Sequence, residues 1–113
     1  MKKYFVIGNP IEHSLSPKLH NYWIKKNNIQ AFYDKNCLDE SEIKNFLEQI
    51  KQKKISGINV TVPFKKKIIT YLDKLSPEAE STQSVNTIFL QKNNLVGYNT
   101  DIYGFQKAIE KIK

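Results

Sequence analysis

At 113 residues, with 40% hydrophobic and 12% aromatic content, the chain is the size of one domain that buries roughly two thirds of its unfolded surface. Its net charge of +7 predicts an anionic partner, yet all eighteen basic residues are lysine, so the planar fork that reads guanine edges and grips phosphates is missing. No stretch approaches the ~18 uninterrupted apolar residues of a membrane span, and Met1-Lys2-Lys3 runs straight into a strand-like segment with no signal-peptide core, which predicts a cytoplasmic protein with no membrane partner.

Tyr4-Phe5-Val6-Ile7 reads as a buried strand closed by the turn Gly8-Asn9-Pro10. In "IEHSLSPKLHNYWIKK", Ser16 is the expected N-cap and Pro17 the first helical residue, with Leu19, Trp23 and Ile24 as the apolar face. Ala31-Phe32-Tyr33 is a weak second strand. The lone Cys37 has no intrachain partner and reads as a small buried hydrophobe without a role. Asp39 and Glu42 have the form of a capping box, and Ile43, Phe46, Leu47 and Ile50 follow at i, i+3, i+4, i+7, the strongest helical signal in the chain. Gly57 to Val62 is a third strand stopped by Pro63, after which Phe64, Ile68, Tyr71, Leu72 and Leu75 lie at helical spacing. Pro77 to Gln83 makes a short helical turn. Val85 to Leu90 and Leu95 to Tyr98 form a hairpin in which Asn93-Asn94 accepts the positive φ of a tight turn. Asp101 precedes a last helix built on Phe105, Ala108, Ile109 and Ile112.

Strands alternating with helices predict an α/β fold: a mostly parallel, mixed β-sheet flanked by helices on both faces, a single three-layer αβα domain. Ligands of such sheets bind beyond the carboxyl ends of the strands. There is no internal repeat and no low-complexity linker. The sequence stops inside its last predicted helix, on "KAIEKIK", without a capping residue, which is the expectation for one domain of something longer.

The residues at the predicted strand ends are Ser14, Ser16, Thr61, Lys65, Asn86, Asn99 and Asp101. Hydroxyls, amides, one amine and one carboxylate suit a small polyhydroxylated acid better than a long polymer. Lys65 to Lys67 occupy the first turn of a helix, where the macrodipole prefers an anion by up to ~1 kcal/mol. Two readings stand side by side there: a solvated basic turn, or a poised amine at Lys65, the lysine nearest the strand end, that a nearby carboxylate tunes for proton transfer. Ser14 and Ser16 likewise read as a helix cap or as an anion site, and the two roles coexist. Asn59 and Asn86 read as buried amides satisfied by neighbouring backbone. His13 and His20 lack the spacing and the third ligand of a metal site, so no metal is expected.

Four segments in order, "GNPIEHSLSPKLHN", "GINVTVPFK", "SVNTI" and "GYNTDIYG", make the chain resemble the substrate-binding N-terminal domain of the shikimate dehydrogenase family over essentially its whole length. The resemblance implies one substrate-binding domain over 1–113 and an NADP-dependent oxidoreductase that reversibly reduces 3-dehydroshikimate to shikimate, in the pathway to chorismate and the aromatic amino acids. It implies further that Ser14 and Ser16 bind the substrate carboxylate with Thr61 nearby, that Asn59, Asn86 and Asp101 contact ring hydroxyls, and that Lys65 and Asp101 are the catalytic pair. Serine at both positions of the Ser-x-Ser element resembles shikimate enzymes more than quinate enzymes of this family. In "STQSVNT" the sequence departs from the family's usual glycine and alanine before the Val-Asn-Thr. The family's Rossmann domain has no counterpart here: the four glycines, Gly8, Gly57, Gly97 and Gly104, are too scattered for a Gly-x-Gly-x-x-Gly loop. The chain alone is therefore expected to bind no NADP and to be inactive, with shikimate or 3-dehydroshikimate as its small-molecule partner, no nucleic acid, and a monomeric or homodimeric state. The alternative is a basic αβ binding module for nucleic acid without enzyme activity.

Overall fold

The apolar run from Tyr4 to Ile7 in the strand Lys2–Gly8 alternates between two hydrophobic layers and thereby sets the plan of the molecule in the computed structural model, which describes residues 2–12 and 14–100. Tyr4 and Val6 of this first strand, β1, join a cluster with Ile24, Ala31, Tyr33 and Phe89, whereas Ile7 joins a larger one with Ile43, Phe46, Leu47, Ile50, Ile58, Val60 and Ile88. Period-two alternation sends neighbours to opposite faces, so a strand covered on both sides is apolar throughout.

The helix α1 (Ser16–Lys26) packs on the first face through His20 and Ile24. The helices α2 (Ile43–Lys51), α3 (Phe64–Lys67) and α4 (Pro77–Thr82) supply the second. Between them lies a six-stranded sheet in the order β2-β1-β3-β5-β6-β4, with β2 at Ala31–Cys37, β3 at Gly57–Val60, β4 at Lys74–Leu75, β5 at Thr87–Gln91 and β6 at Asn94–Tyr98. Three pairings are parallel (β1 with β2, β1 with β3, β4 with β6) and two antiparallel (β3 with β5, β5 with β6). The expected mixed αβα architecture is the observed one.

The capping box opens α2 as expected: the Glu42 carboxylate accepts the Asp39 N–H at 2.8 Å, a short 3-10 turn covers Glu40–Glu42, and all four apolar residues of the helix are buried. Full burial of each such side chain contributes roughly 1.5–3 kcal/mol.

Other expectations are corrected. Ser16 does not cap α1. Leu15 occupies that position, one residue earlier than the Ser-Pro pattern suggests, and it is Ser14 whose hydroxyl accepts the Ser16 N–H at 3.2 Å. The buried face of α1 is His20 and Ile24, an i, i+4 pair, while Leu19 is 43% exposed. The second strand extends past Tyr33 to Cys37, because β1 pairs with it over its full length, and Cys37 is exposed on this edge strand. The third strand ends at Val60, not Val62, although the Thr61 N–H still donates to the Ile7 carbonyl at 2.9 Å.

After Pro63 the helix lasts one turn, tightens to 3-10 over Ile68–Tyr71, and gives way to β4, so Leu75 is a strand residue. Asp73 causes the change of course: its N–H donates to the Leu95 carbonyl at 2.9 Å and its carboxylate accepts the Leu95 N–H at 2.8 Å, tying the segment to β6. The hairpin turn is Lys92-Asn93, with φ of 49° and 68°, one residue earlier than expected. The predicted last helix, Asp101 and His13 lie outside the described residues.

Candidate active site

The carboxyl ends of β1 and β3 lie side by side because the two strands are parallel, with Ile7 opposite Val60. Gly8 makes the close approach possible there. A Cβ on it would stand 2.5 Å from Thr61 Cγ2 and 2.9 Å from the Val62 carbonyl oxygen. The chain leaving β1 turns through Pro10 into α1, and a cavity of about 230 Å³ opens between this turn and β3, lined by Val6, Pro10, Ile11, Glu12, Ser14, Ser16 and Thr61. Three of the candidate residues thus share one hollow, and all three carry hydroxyls.

A hydrogen-bonded chain leads from this hollow along the sheet. The Ser16 side chain interacts with the Tyr33 phenol, whose hydroxyl donates to Asn59 Oδ1 at 2.6 Å. Asn59 Nδ2 donates to the Asn86 carbonyl and to Thr87 Oγ1, both at 3.1 Å, and Thr87 Oγ1 donates in turn to Asn86 Oδ1 at 3.0 Å. The Asn86 amide then clamps the backbone of Thr100, accepting its N–H at 2.8 Å and donating to its carbonyl. Asn99, from the same segment, donates to Thr82 at 2.9 Å. Asn59, in β3, and Asn86, just before β5, are half-buried, and both find partners inside the protein.

Tyr33 is the member that the sequence reading missed. In the sequence it reads only as the end of a weak strand, and Ser16 and Asn59 are remote from it. The available signal was the alternation in β2, which turns Ala31 and Tyr33 to the same buried face. Burial pushes the Tyr33 phenol well above its ordinary value, and the Ser16 hydrogen bond offsets this in part. The ring is stacked on His20, with centroids 4.5 Å apart and planes tilted by 30°. Burial drives the His20 imidazole the other way, down to about 4.

Lys65 is exposed on α3, and its carbonyl accepts the Val85 N–H at 2.8 Å, which joins the helix backbone to the residue before Asn86. Lys67 turns aside to Glu40 at 3.8 Å, an exposed pair of small energetic weight. Lys65 has no ion pair among the described residues, and its candidate partner Asp101 lies outside them.

The described residues do not fit a dinucleotide. Gly8, Gly57 and Gly97 are strand glycines, each packed so closely that a Cβ would stand 2.5–2.6 Å from Thr61, Phe89 or Leu72 respectively, so none is free to cradle a pyrophosphate. Among the described residues, no helix is long and apolar enough to cross a membrane.

Comparison with known proteins gives this arrangement its context. The family model described as the shikimate dehydrogenase substrate binding domain matches residues 6–88, the segment that holds every candidate residue except Asn99 and Asp101. A shikimate dehydrogenase (NADP(+)) of Pelagibacter ubique is 62% identical over 112 residues, which are 98% of this chain and 42% of the relative. The crystal structure of shikimate dehydrogenase 1 from Peptoclostridium difficile superposes with a TM-score of 0.84 at 38% identity, over 99% of this chain and 43% of that one. Shikimate 5-dehydrogenase from Listeria monocytogenes, solved in complex with shikimate and NAD, does so with a TM-score of 0.84 at 34% identity, over 99% and 39%. The chain therefore spans about two fifths of the length of the relatives it matches. The family model covers well over half of the chain, and the chain belongs to the shikimate dehydrogenase substrate-binding domain family.

Proposed function

We propose that residues 1–113 act as the substrate-binding and proton-transferring part of an NADP-dependent shikimate dehydrogenase, which reversibly reduces 3-dehydroshikimate to shikimate on the cytoplasmic route to chorismate and the aromatic amino acids. The observation that carries this reading is the hollow of Ser14, Ser16 and Thr61, joined through Tyr33 to Asn59 and Asn86 in a chain of this family. A solved relative's bound shikimate supports the choice of ligand.

In this reading the Ser14, Ser16 and Thr61 hydroxyls hold the substrate carboxylate, while Asn59 and Asn86 present fixed amides to the ring hydroxyls. Reduction of the ketone carbon leaves an alkoxide, and the Lys65 ammonium gives that oxygen its proton, with Asp101 holding the amine in place. In the reverse direction the neutral amine takes the proton back from the alcohol. NADP supplies the hydride in such enzymes, and none of the described residues is assigned to binding it. The partner of this chain is a small carboxylic acid, not a nucleic acid, and the working unit is a monomer or homodimer.

Titration of the 113-residue chain with shikimate, followed by chemical shifts, tests the proposal. Signals of Ser16, Tyr33, Thr61, Lys65 and Asn86 are expected to move together along one saturation curve. If they stay still, while DNA or RNA binds with an affinity that falls steeply with salt, the chain is a basic binding module instead.

A further inference from the structure

Helix α1 holds Tyr33 at three points in succession. Ser16, at its start, interacts with the phenol; His20 stacks on the ring face at 4.5 Å; and Asn21 engages the backbone. Asn21 Nδ2 donates to the Tyr33 carbonyl at 2.6 Å, and Asn21 Oδ1 accepts the Tyr33 N–H at 2.8 Å. This is the pair of bonds a neighbouring strand would make. β2 is an edge strand, bonded to β1 on one side only, so the asparagine takes the place of the missing neighbour at a single residue.

The spacing explains why the three contacts reach one side chain. Five residues of α-helix rise about 7.5 Å, comparable to the reach of a tyrosine from backbone to hydroxyl, so Ser16 and Asn21 fit its two ends.

We propose that Asn21 is a positioning residue of the shikimate pocket, acting through Tyr33. The inference rests on the function proposed above. Tyr33 O–H donates to Asn59 Oδ1 at 2.6 Å and interacts with Ser16, so the phenol joins the hydroxyl hollow to the amide assigned above to the ring hydroxyls. A shift of β2 along or away from α1 would part these two groups. Rotamer freedom at Tyr33 is small once its ring is buried and stacked, so the hydroxyl goes where the backbone takes it. By fixing the backbone, Asn21 fixes the distance between the two halves of the site. A residue placed only to protect the sheet edge would have no such effect on binding.

The test compares Asn21→Leu, which keeps the side-chain shape but loses both bonds, with Tyr33→Phe and the double variant, each in the 113-residue chain. In the absence of ligand, Asn21→Leu is expected to shift the Asn59 side-chain amide signals while leaving those of Ile43 to Ile50 in place. With shikimate, each single variant is expected to weaken binding about tenfold, and the double variant no further than Tyr33→Phe alone, because residues acting through one contact are not additive. Fully additive losses, or unchanged Asn59 signals, would overturn the proposal. Should Asn21→Leu fail to fold, Asn21→Asp keeps the acceptor for the Tyr33 N–H and removes the donor. The same Asn59 shift is required of it, and its absence counts equally against Asn21. Wild-type protein that ignores shikimate would refute the function, while the ligand-free Asn59 signals would still decide the coupling.

Discussion

His20 is 1% exposed and stacked on Tyr33, and burial lowers its pKa from 6.5 to about 4. Burial disfavours the charged imidazolium, so the unfolded chain takes up a proton at a pH where the folded chain does not. Its contribution is intact above pH 6.5, declines as the pH falls toward 4, and levels off below that, for a loss of roughly 3 kcal/mol. Urea unfolding between pH 7 and 4 checks this: His20→Gln should flatten the acid side of the profile, and an unchanged slope would mean that another group titrates. The same residue shows what the sequence concealed. A histidine immediately before an asparagine-tyrosine-tryptophan run has no marker of burial, and the apolar Leu19 beside it draws the predicted face of the helix in the wrong direction.

Between elements, the parallel contact of β1 and β3 is set by Gly8, and the cavity depends on it. Gly8→Ala would place a methyl group 2.5 Å from Thr61 Cγ2 and 2.9 Å from a backbone oxygen that cannot swing aside. Overpacking of this kind costs about 1–3 kcal/mol, and here it also pushes Thr61 across the hollow. Thermal unfolding and shikimate titration of that variant should both deteriorate; a stable protein with full affinity would show that the strand ends tolerate separation. Elements with a local cause were legible beforehand. The α2 helix carries its own capping pair and an unbroken apolar period, and the hairpin is bounded by polar turn residues. Elements with a distant cause were not. Phe64 to Leu75 has helical spacing, yet Asp73 binds to Leu95 and draws the end of that segment into the sheet. The candidate serines, Thr61, Lys65 and the two asparagines are legible as motifs; the bonds of Tyr33 and Asn21 are not, because they run between α1, β2 and β3 and no local pattern encodes them.

At the scale of the whole molecule, charge and length bear on function together. A net charge of +7 without arginine attracts a small anion by long-range steering but lacks the fork for bidentate phosphate contact. The chain corresponds to 42% of the Pelagibacter ubique relative, so the proposed chemistry is best tested in a chimera that joins residues 1–113 to the remaining length of that enzyme. Such a protein should oxidise shikimate with NADP, and Lys65→Ala should lower its kcat by about 10²–10⁴-fold, the usual weight of a positioned acid or base. Full turnover by the alanine variant would remove Lys65 from the mechanism.

The bonding of Asn59 has a consequence for selectivity. Its two amide hydrogens are both committed, to the Asn86 carbonyl and to Thr87, and one lone pair of its oxygen is taken by Tyr33. Only one lone pair is left over. A visiting molecule can therefore satisfy this amide by offering a hydrogen and in no other way: an alcohol is welcome there, whereas a ketone, an ether or a methylated oxygen meets an electron-rich atom with nothing to share.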